Sequence, residues 1–236
     1  TTLIGELQTS IIDRTLGSQA HIVVRAPQAA NRTTLPPDST AAVVQPRAQR
    51  LRSIDQWATV ARLAEQTRGV VAVSPLLSGS GFAVRADASQ SIALMGVDAQ
   101  AFQRIVRMPK YLQSGTFDVA GTNAVIGSEL AKDLGIVVGD KLRLVTLDGR
   151  NDLFNVAGIF DIGNRDLNRR WVFVTLPLAQ SLLDLPGGVS SLDLTVADIF
   201  EAQAIADRLK GATGLTVDSW MQTNAQLLAA LRNQTV

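Results

Sequence analysis

Cysteine is absent from the 236 residues, which excludes a disulfide framework, a thiol nucleophile and cysteine-ligated zinc, iron–sulfur or blue-copper centres. Histidine occurs once, as His21. A single histidine forbids a two-histidine metal site and HExxH chemistry. As a lone base it would need an orienting carboxylate and a nucleophile that the sequence does not place beside it. Tyrosine also occurs once, and aromatics make up 5% of the chain, so an aromatic-lined ligand pocket would be sparse. Neither sign of charge dominates: 22 basic residues face 21 acidic ones, a formal net charge of +1. No excess exists to neutralise a phosphate backbone, which argues against nucleic-acid binding. Lysine is scarce as well. Only Lys110, Lys132, Lys141 and Lys210 interrupt a basic set that is otherwise arginine, a skew that genomic base composition explains. No apolar run reaches the length of about 18 residues that a membrane-crossing helix requires. No secretory signal opens the chain, whose first residue is threonine; the expectation is an excised soluble piece or a mature, processed protein.

Catalytic motifs are missing in the same way. Gly79-Ser80-Gly81 is no phosphate cradle, because neither GxxxxGK[ST] nor a helix-opening GxGxxG is present. There is no GxSxG elbow and no serine followed three residues later by lysine. Asp161 and Asp166 lie in a Gly/Asn/Arg stretch where short acids serve turns. No catalytic, cofactor-binding or metal-ligating residue is assigned, and no cofactor is expected.

What the chain does have is a long alternation of short strands and helices. Thr2 to Leu16 reads as an amphipathic helix, with Leu3, Leu7, Ile11 and Ile12 on one stripe and Gly17 ending it. At the other end, Asp218 or Ser219 caps a helix with Trp220, Leu227, Leu228 and Leu231 on one side. His21 to Arg25 leans to β. Residues 26–52, with Pro27, Pro36, Pro37 and Pro46, lack periodicity and read as an insertion loop. Ile54 to Thr67 is a helix with Trp57, Val60, Ala61 and Ala64 inward. Val70 to Val73 is a strand, Gly79 to Gly81 a turn or bulge, and Phe82 to Arg85 and Ser91 to Val97 are further strands. A strand–helix–strand order returns late, at Ser191 to Val196, Phe200 to Leu209 and Leu215 to Val217. Two βα units flanking a middle section predict an α+β fold: a split βαβ-type sandwich with a mostly-β insert. The middle holds a short helix at Asp98 to Val106, strands at Leu142 to Thr146 and Leu153 to Phe160 about an Asp148-Gly149 turn, a strand at Trp171 to Thr175, and a helix opened by Pro177.

One surface stretch stands out for binding. Residues 163–171 read as a polar inter-strand loop in which Arg165, Arg169, Arg170 and Trp171 fall within seven residues. Arginine and tryptophan are the residue types enriched in binding hot spots, which makes these four a candidate partner-binding set.

The most informative block is TNAVIGSELAKDLGIVVGDKLRL, Thr122 to Leu144. An apolar strand (Ala124, Val125, Ile126) meets Gly127 and Ser128. Leu130, Ala131 and Leu134 then keep helical spacing until Gly135. Val137, Val138, Gly139 and Asp140 turn the chain into a strand from Lys141. This block resembles the extracytoplasmic (periplasmic core) domain of MacB-type and lipoprotein-releasing (LolC/LolE-type) ABC transporter permeases. The resemblance implies an outer, discontinuous Porter-like part over residues 1–90 and 186–236, and a Sabre-like insert over 91–185. It implies that the two terminal helices continue into membrane spans, which makes this segment the periplasmic portion of an inner-membrane protein. It implies a non-enzymatic role: motion driven by ATP at a separate cytoplasmic ATPase subunit brings two permeases, a second copy or a relative, together. The domain then passes that motion to a substrate or a periplasmic partner protein. In lipoprotein-releasing permeases a protruding hairpin after the VGD strand grips a carrier. Here Leu147 to Asp152 turns straight back, so no such hook is expected. The alternative from the residues alone is a free-standing periplasmic binding or adaptor protein.

Overall fold

The computed structural model describes residues 16–27, 52–225 and 229. The helix expected over residues 2–15, the proline-containing stretch 28–51 and the terminal helix beyond residue 225 lie outside the described residues. Ten strands form one hydrogen-bonded sheet in the order β10-β1-β9-β2-β3-β8-β5-β7-β4, with β6 pairing both β2 and β7. In chain order they are β1 (Ile22–Arg25), β2 (Val70–Arg85), β3 (Ala88–Val97), β4 (Leu112–Gly115), β5 (Asn123–Gly127), β6 (Lys141–Thr146), β7 (Asn151–Phe160), β8 (Trp171–Thr175), β9 (Ser191–Val196) and β10 (Thr216–Ser219). The helices are α1 (Trp57–Gln66), α2 (Ala99–Ile105), α3 (Ser128–Leu134), α4 (Arg165–Arg170), α5 (Leu176–Leu182), α6 (Ala202–Thr213) and α7 (Trp220–Thr223).

The base of the molecule is β10-β1-β9-β2, antiparallel throughout. It consists of two split units, β1-α1-β2 and β9-α6-β10, each admitting a strand of the other between its own two. Alternation sends Ile22, Val24, Val73, Leu192, Leu194 and Val196 to one face, where Ala61 and Ala64 of α1 and Ala202, Ile205, Ala206 and Leu209 of α6 bury them. Trp220 closes this core, with its Nε1–H donating to Ile199 O at 2.6 Å. Ile22 pairs with both Ser219 and Leu194, and Trp220 N–H donates to His21 O at 2.8 Å. The chain therefore enters β1 and leaves β10 at the same end of the sheet.

The glycines at 79 and 81 make no turn. β2 runs unbroken for 16 residues, and these positions admit neighbours that a side chain would exclude. A Cβ on Gly79 would sit 2.5 Å from Leu183, and one on Gly81 would sit 2.6 Å from Val145 O. Pro75, which lacks an N–H, pairs with Leu192 on one side, whereas β3 joins the other side only from Leu76. The first half of β2 thus serves the base, and the second half pairs with β3 and β6. Pairing through β2-β3-β8-β5-β7-β6 and back to β2 closes a circuit, and closure removes the exposed edges an open insert would present. Two apolar clusters fill this part. Leu77, Leu94, Ile126, Leu130, Leu142 and Phe154 belong to one of them. Phe102, Phe117, Phe160 and Phe173 hold the other, with ring centroids 5.2 to 6.1 Å apart.

Candidate partner-binding segment

Residues 165–170 form a helix rather than the expected loop. Asn164 supplies the cap: its side-chain oxygen accepts from the N–H groups of Asp166 and Leu167, at 3.0 and 3.2 Å. Asn168 is the one polar side chain of α4 turned into the protein. It donates from Nδ2 to Asp161 Oδ1 at 2.6 Å and accepts at Oδ1 from Ile162 N–H at 3.0 Å, so both ends of the amide are satisfied. Asp161 also accepts from Gly163 N–H at 2.8 Å, a turn-forming role.

Helix α4 lies against α3, the helix of the Gly-Ser block. Gly127, just before α3, meets α4 so closely that a Cβ there would be 2.0 Å from Asn168 O. That contact sets how the arginines are used. Arg165 Nε donates to Glu129 Oε2 at 3.1 Å, and Arg169 Nε donates to Asp133 Oδ2 at 2.9 Å, with Glu129 Oε2 also 3.7 Å from the Arg169 fork. Lys132 joins Glu129 from within α3 at 2.9 Å. The hydrogen bonds from Lys132 and Arg165 hold the Glu129 carboxyl below the usual carboxylate range. Arg170 is exposed and makes no ion pair or side-chain hydrogen bond among the described residues. Trp171 opens β8 half-buried, edge-on to Phe173 at 5.8 Å. The four expected residues therefore separate: Arg165 and Arg169 tie two helices together, Trp171 packs on the aromatic cluster, and Arg170 faces outward. Glu129 and Asp133, which organise the set, were not singled out in the sequence. Their spacing of four on α3 was the available signal.

The rest of the block is held from the β2–β3 turn. Gly135 caps α3 with φ 62°. Arg85 bonds its carbonyl and forms an ion pair with Asp140 at 3.0 Å. Asp140 in turn accepts from Val137 N–H at 3.0 Å, which makes it the pin of the VGD turn. The β6–β7 connection is tight, as expected: Thr146 N–H donates to Arg150 O at 2.8 Å, and Arg150 reaches Asp184 at 2.9 Å, tying the tip to the end of α5. Thr146 also bonds Asp148, and that contact holds the Asp148 carboxyl low.

This fold is shared with solved extracytoplasmic domains. The extracellular domain of the transporter YknZ from Gram-positive bacteria superposes with a TM-score of 0.54 at 13% identity, covering 85% of this chain and 99% of that one. The periplasmic region of MacB from Actinobacillus actinomycetemcomitans gives 0.56 at 15% identity, covering 92% and 95%. The MacB-like periplasmic core domain family matches residues 4–212, and the chain belongs to that family. Sequence relatives include the lipoprotein-releasing system transmembrane protein LolC of Neisseria meningitidis serogroup B, 24% identical over 165 residues. LolC of Xylella fastidiosa is 23% identical over 192 residues. These alignments cover 65% and 75% of this chain but 40% and 46% of the relatives, so the chain spans less than half of either. No described helix is long and apolar enough to cross a membrane.

Proposed function

We propose that this chain is the periplasmic domain of an inner-membrane ABC transporter permease. It relays motion generated at a separate cytoplasmic ATPase subunit and is not itself an enzyme. The family match over residues 4–212 carries the reading, and it favours a permease domain over a free-standing binding or adaptor protein. The geometry supports it: the paths into β1 and out of β10 run side by side at one end of the base, as a domain fed by two neighbouring spans requires. The proposal includes a division into an outer part (1–90 and 186–236) and an insert (91–185), for which the grouping of the apolar cores is the support. One core gathers residues from Leu16 to Val73 and from Val189 to Trp220. β2 is the shared member, because Leu77 and Ala83 pack with the insert.

In this scheme β2 is the lever. Its 16 residues span about 50 Å at roughly 3.3 Å per residue, from the end where the chain enters to the Arg85–Asp140 pin. A displacement at the base reaches the Gly-Ser block through one continuous backbone. Partners would be a second permease copy or relative and a periplasmic protein, with Arg170 the outward-facing member of the arginine set. The tied-down β6–β7 turn gives no support to a projecting hook as the means of gripping a lipoprotein carrier. The first test is the coding sequence on either side of residues 1–236. The reading expects an apolar stretch of about 20 residues on each side; a cleavable signal before and a stop codon directly after would overturn it.

A further inference from the structure

The face of the base sheet away from α1 and α6 carries polar groups that the relay does not use. Across β2, β9, β1 and β10 one row reads Ser74, Asp193, Val23, Asp218, and the next places Arg25 opposite both Ser191 and Thr216. Arg25 is therefore a diagonal neighbour of Asp193, a separation that a long side chain spans. It meets Asp218 at only 3.5 Å. Beside Asp193 are two hydroxyls with no partner among the described residues. Ser74 is fully buried, and both Ser74 Oγ and Thr195 Oγ1 lack a partner. Buried hydroxyls are rarely left so. An ionised Asp193 offers Arg25 a second carboxylate on the same face of the sheet, whereas a neutral Asp193 leaves Arg25 to Asp218. Burial raises the Asp193 pKa to about 7 against the opposing pull of Arg25, so the two forms exchange near neutrality.

Among the described residues, the other charged groups near Asp193 have partners of their own. β2 has no charged residue between Val70 and Leu76, and β9 has none besides Asp193. Helix α2, which covers part of this face, carries two charges. Asp98 is its cap, accepting from Ala101 N–H at 2.9 Å, and Arg104 donates to Val71 O at 3.1 Å. His21, one row away, accepts at Nδ1 from Val196 N–H at 3.1 Å.

We propose that Arg25 is a shared cation, held by Asp218 when Asp193 is protonated and drawn toward Asp193 when it ionises, so that the β1–β10 pairing responds to proton concentration. The consequence is local and placed where it matters. β10 ends at Ser219, one residue before Trp220, where the chain leaves the base. Loosening Arg25 from Asp218 loosens the edge strand from which the C-terminal segment departs. The inference stands on the sheet register and holds whether or not the chain serves a transporter.

The test is an NMR titration of the 236-residue chain between pH 5 and 9, following the Asp193 and Asp218 carboxyl carbons and the Arg25 Nε resonance. The expected result is one common midpoint for all three, lost from Arg25 and Asp218 in Asp193→Asn. A second variant gives the reciprocal reading: in Asp218→Asn, Arg25 belongs to Asp193 alone, and the Asp193 midpoint moves to lower pH. Arg25 and Asp218 signals that stay flat while Asp193 titrates in the wild-type chain would overturn the proposal. An Asp193 midpoint unmoved by Asp218→Asn would overturn it too.

Discussion

Asp193 and His21 pull stability in opposite directions with pH. The folded protein keeps the Asp193 proton up to about pH 7, well above the ordinary value of 3.8. Between those values the folded state binds more protons than the unfolded one, so this carboxyl's contribution falls as pH rises. His21 is the reverse case. Burial lowers its pKa below the ordinary 6.5, so its contribution is full above that value and is lost as pH falls. Asp193→Asn is therefore expected to melt higher than the wild type at pH 8. Its remaining pH dependence should be the His21 one, with stability dropping below about pH 6.5, the model-compound value; thermal melts from pH 4 to 8 check both. Glu129→Ala is expected to lower stability by removing the common acceptor of Lys132, Arg165 and Arg169. The difference from wild type should shrink in 1 M salt, about the ionic strength at which the Debye length falls to ~3 Å. At this scale the sequence was legible by type and not by partner. Arg165, Arg169, Arg170 and Trp171 were recognisable as a cluster, yet their acids lie 36 residues away. Nothing local shows that two of the arginines reach across to α3. Asp193 reads as an ordinary outward residue in an alternating strand, and only the sheet and the helix on that face make it half-buried.

Elements were read best where the apolar period was long and the cap residue unmistakable. The α3 helix with its Gly135 stop, the Pro177-opened helix and the tight β6–β7 turn all follow from local chemistry. Two elements did not. Gly79 and Gly81 look like a turn because glycine usually marks one, but here the missing side chains admit Leu183 and the β6 backbone. The segment RDLNRR has a single apolar residue and so no helical stripe. Its helix is held by the Asn164 cap, the buried Asn168 and the charges of α3, two of which are tertiary contacts. The closeness of that packing makes Gly127→Ala informative. A Cβ 2.0 Å from the Asn168 carbonyl cannot be absorbed by a flexible side chain, and overpacking of this kind costs about 1–3 kcal/mol. Urea unfolding should show that loss. Phe173→Ala, at the centre of four ring contacts, should cost about 3–5 kcal/mol by the same measurement.

For the whole molecule, the alternation of βα units around a β-rich middle announced a split α+β base with an insert, and the family resemblance supplied the order of parts. Neither supplied the register that interleaves β1 and β9, nor the closing of β6 onto β2, because long-range pairing leaves no mark on neighbouring residues. The proposed relay rests on those pairings. The chain enters and leaves at one end, β2 runs the full length between, and the Arg85–Asp140 pin holds the far end. The absence of cysteine gives a clean probe of that account. A single cysteine at Val137, which is 64% exposed in the VGD turn, can carry the only spin label in this segment of the proposed permease. The decisive measurement is the label-to-label distance between this segment and the same turn of the proposed second permease, copy or relative, by pulsed electron paramagnetic resonance, with the proposed ATPase subunit nucleotide-free and then trapped with ATP. A relay requires the distance distribution to shift between the two states. Identical distributions in a transporter that still turns over ATP would contradict it.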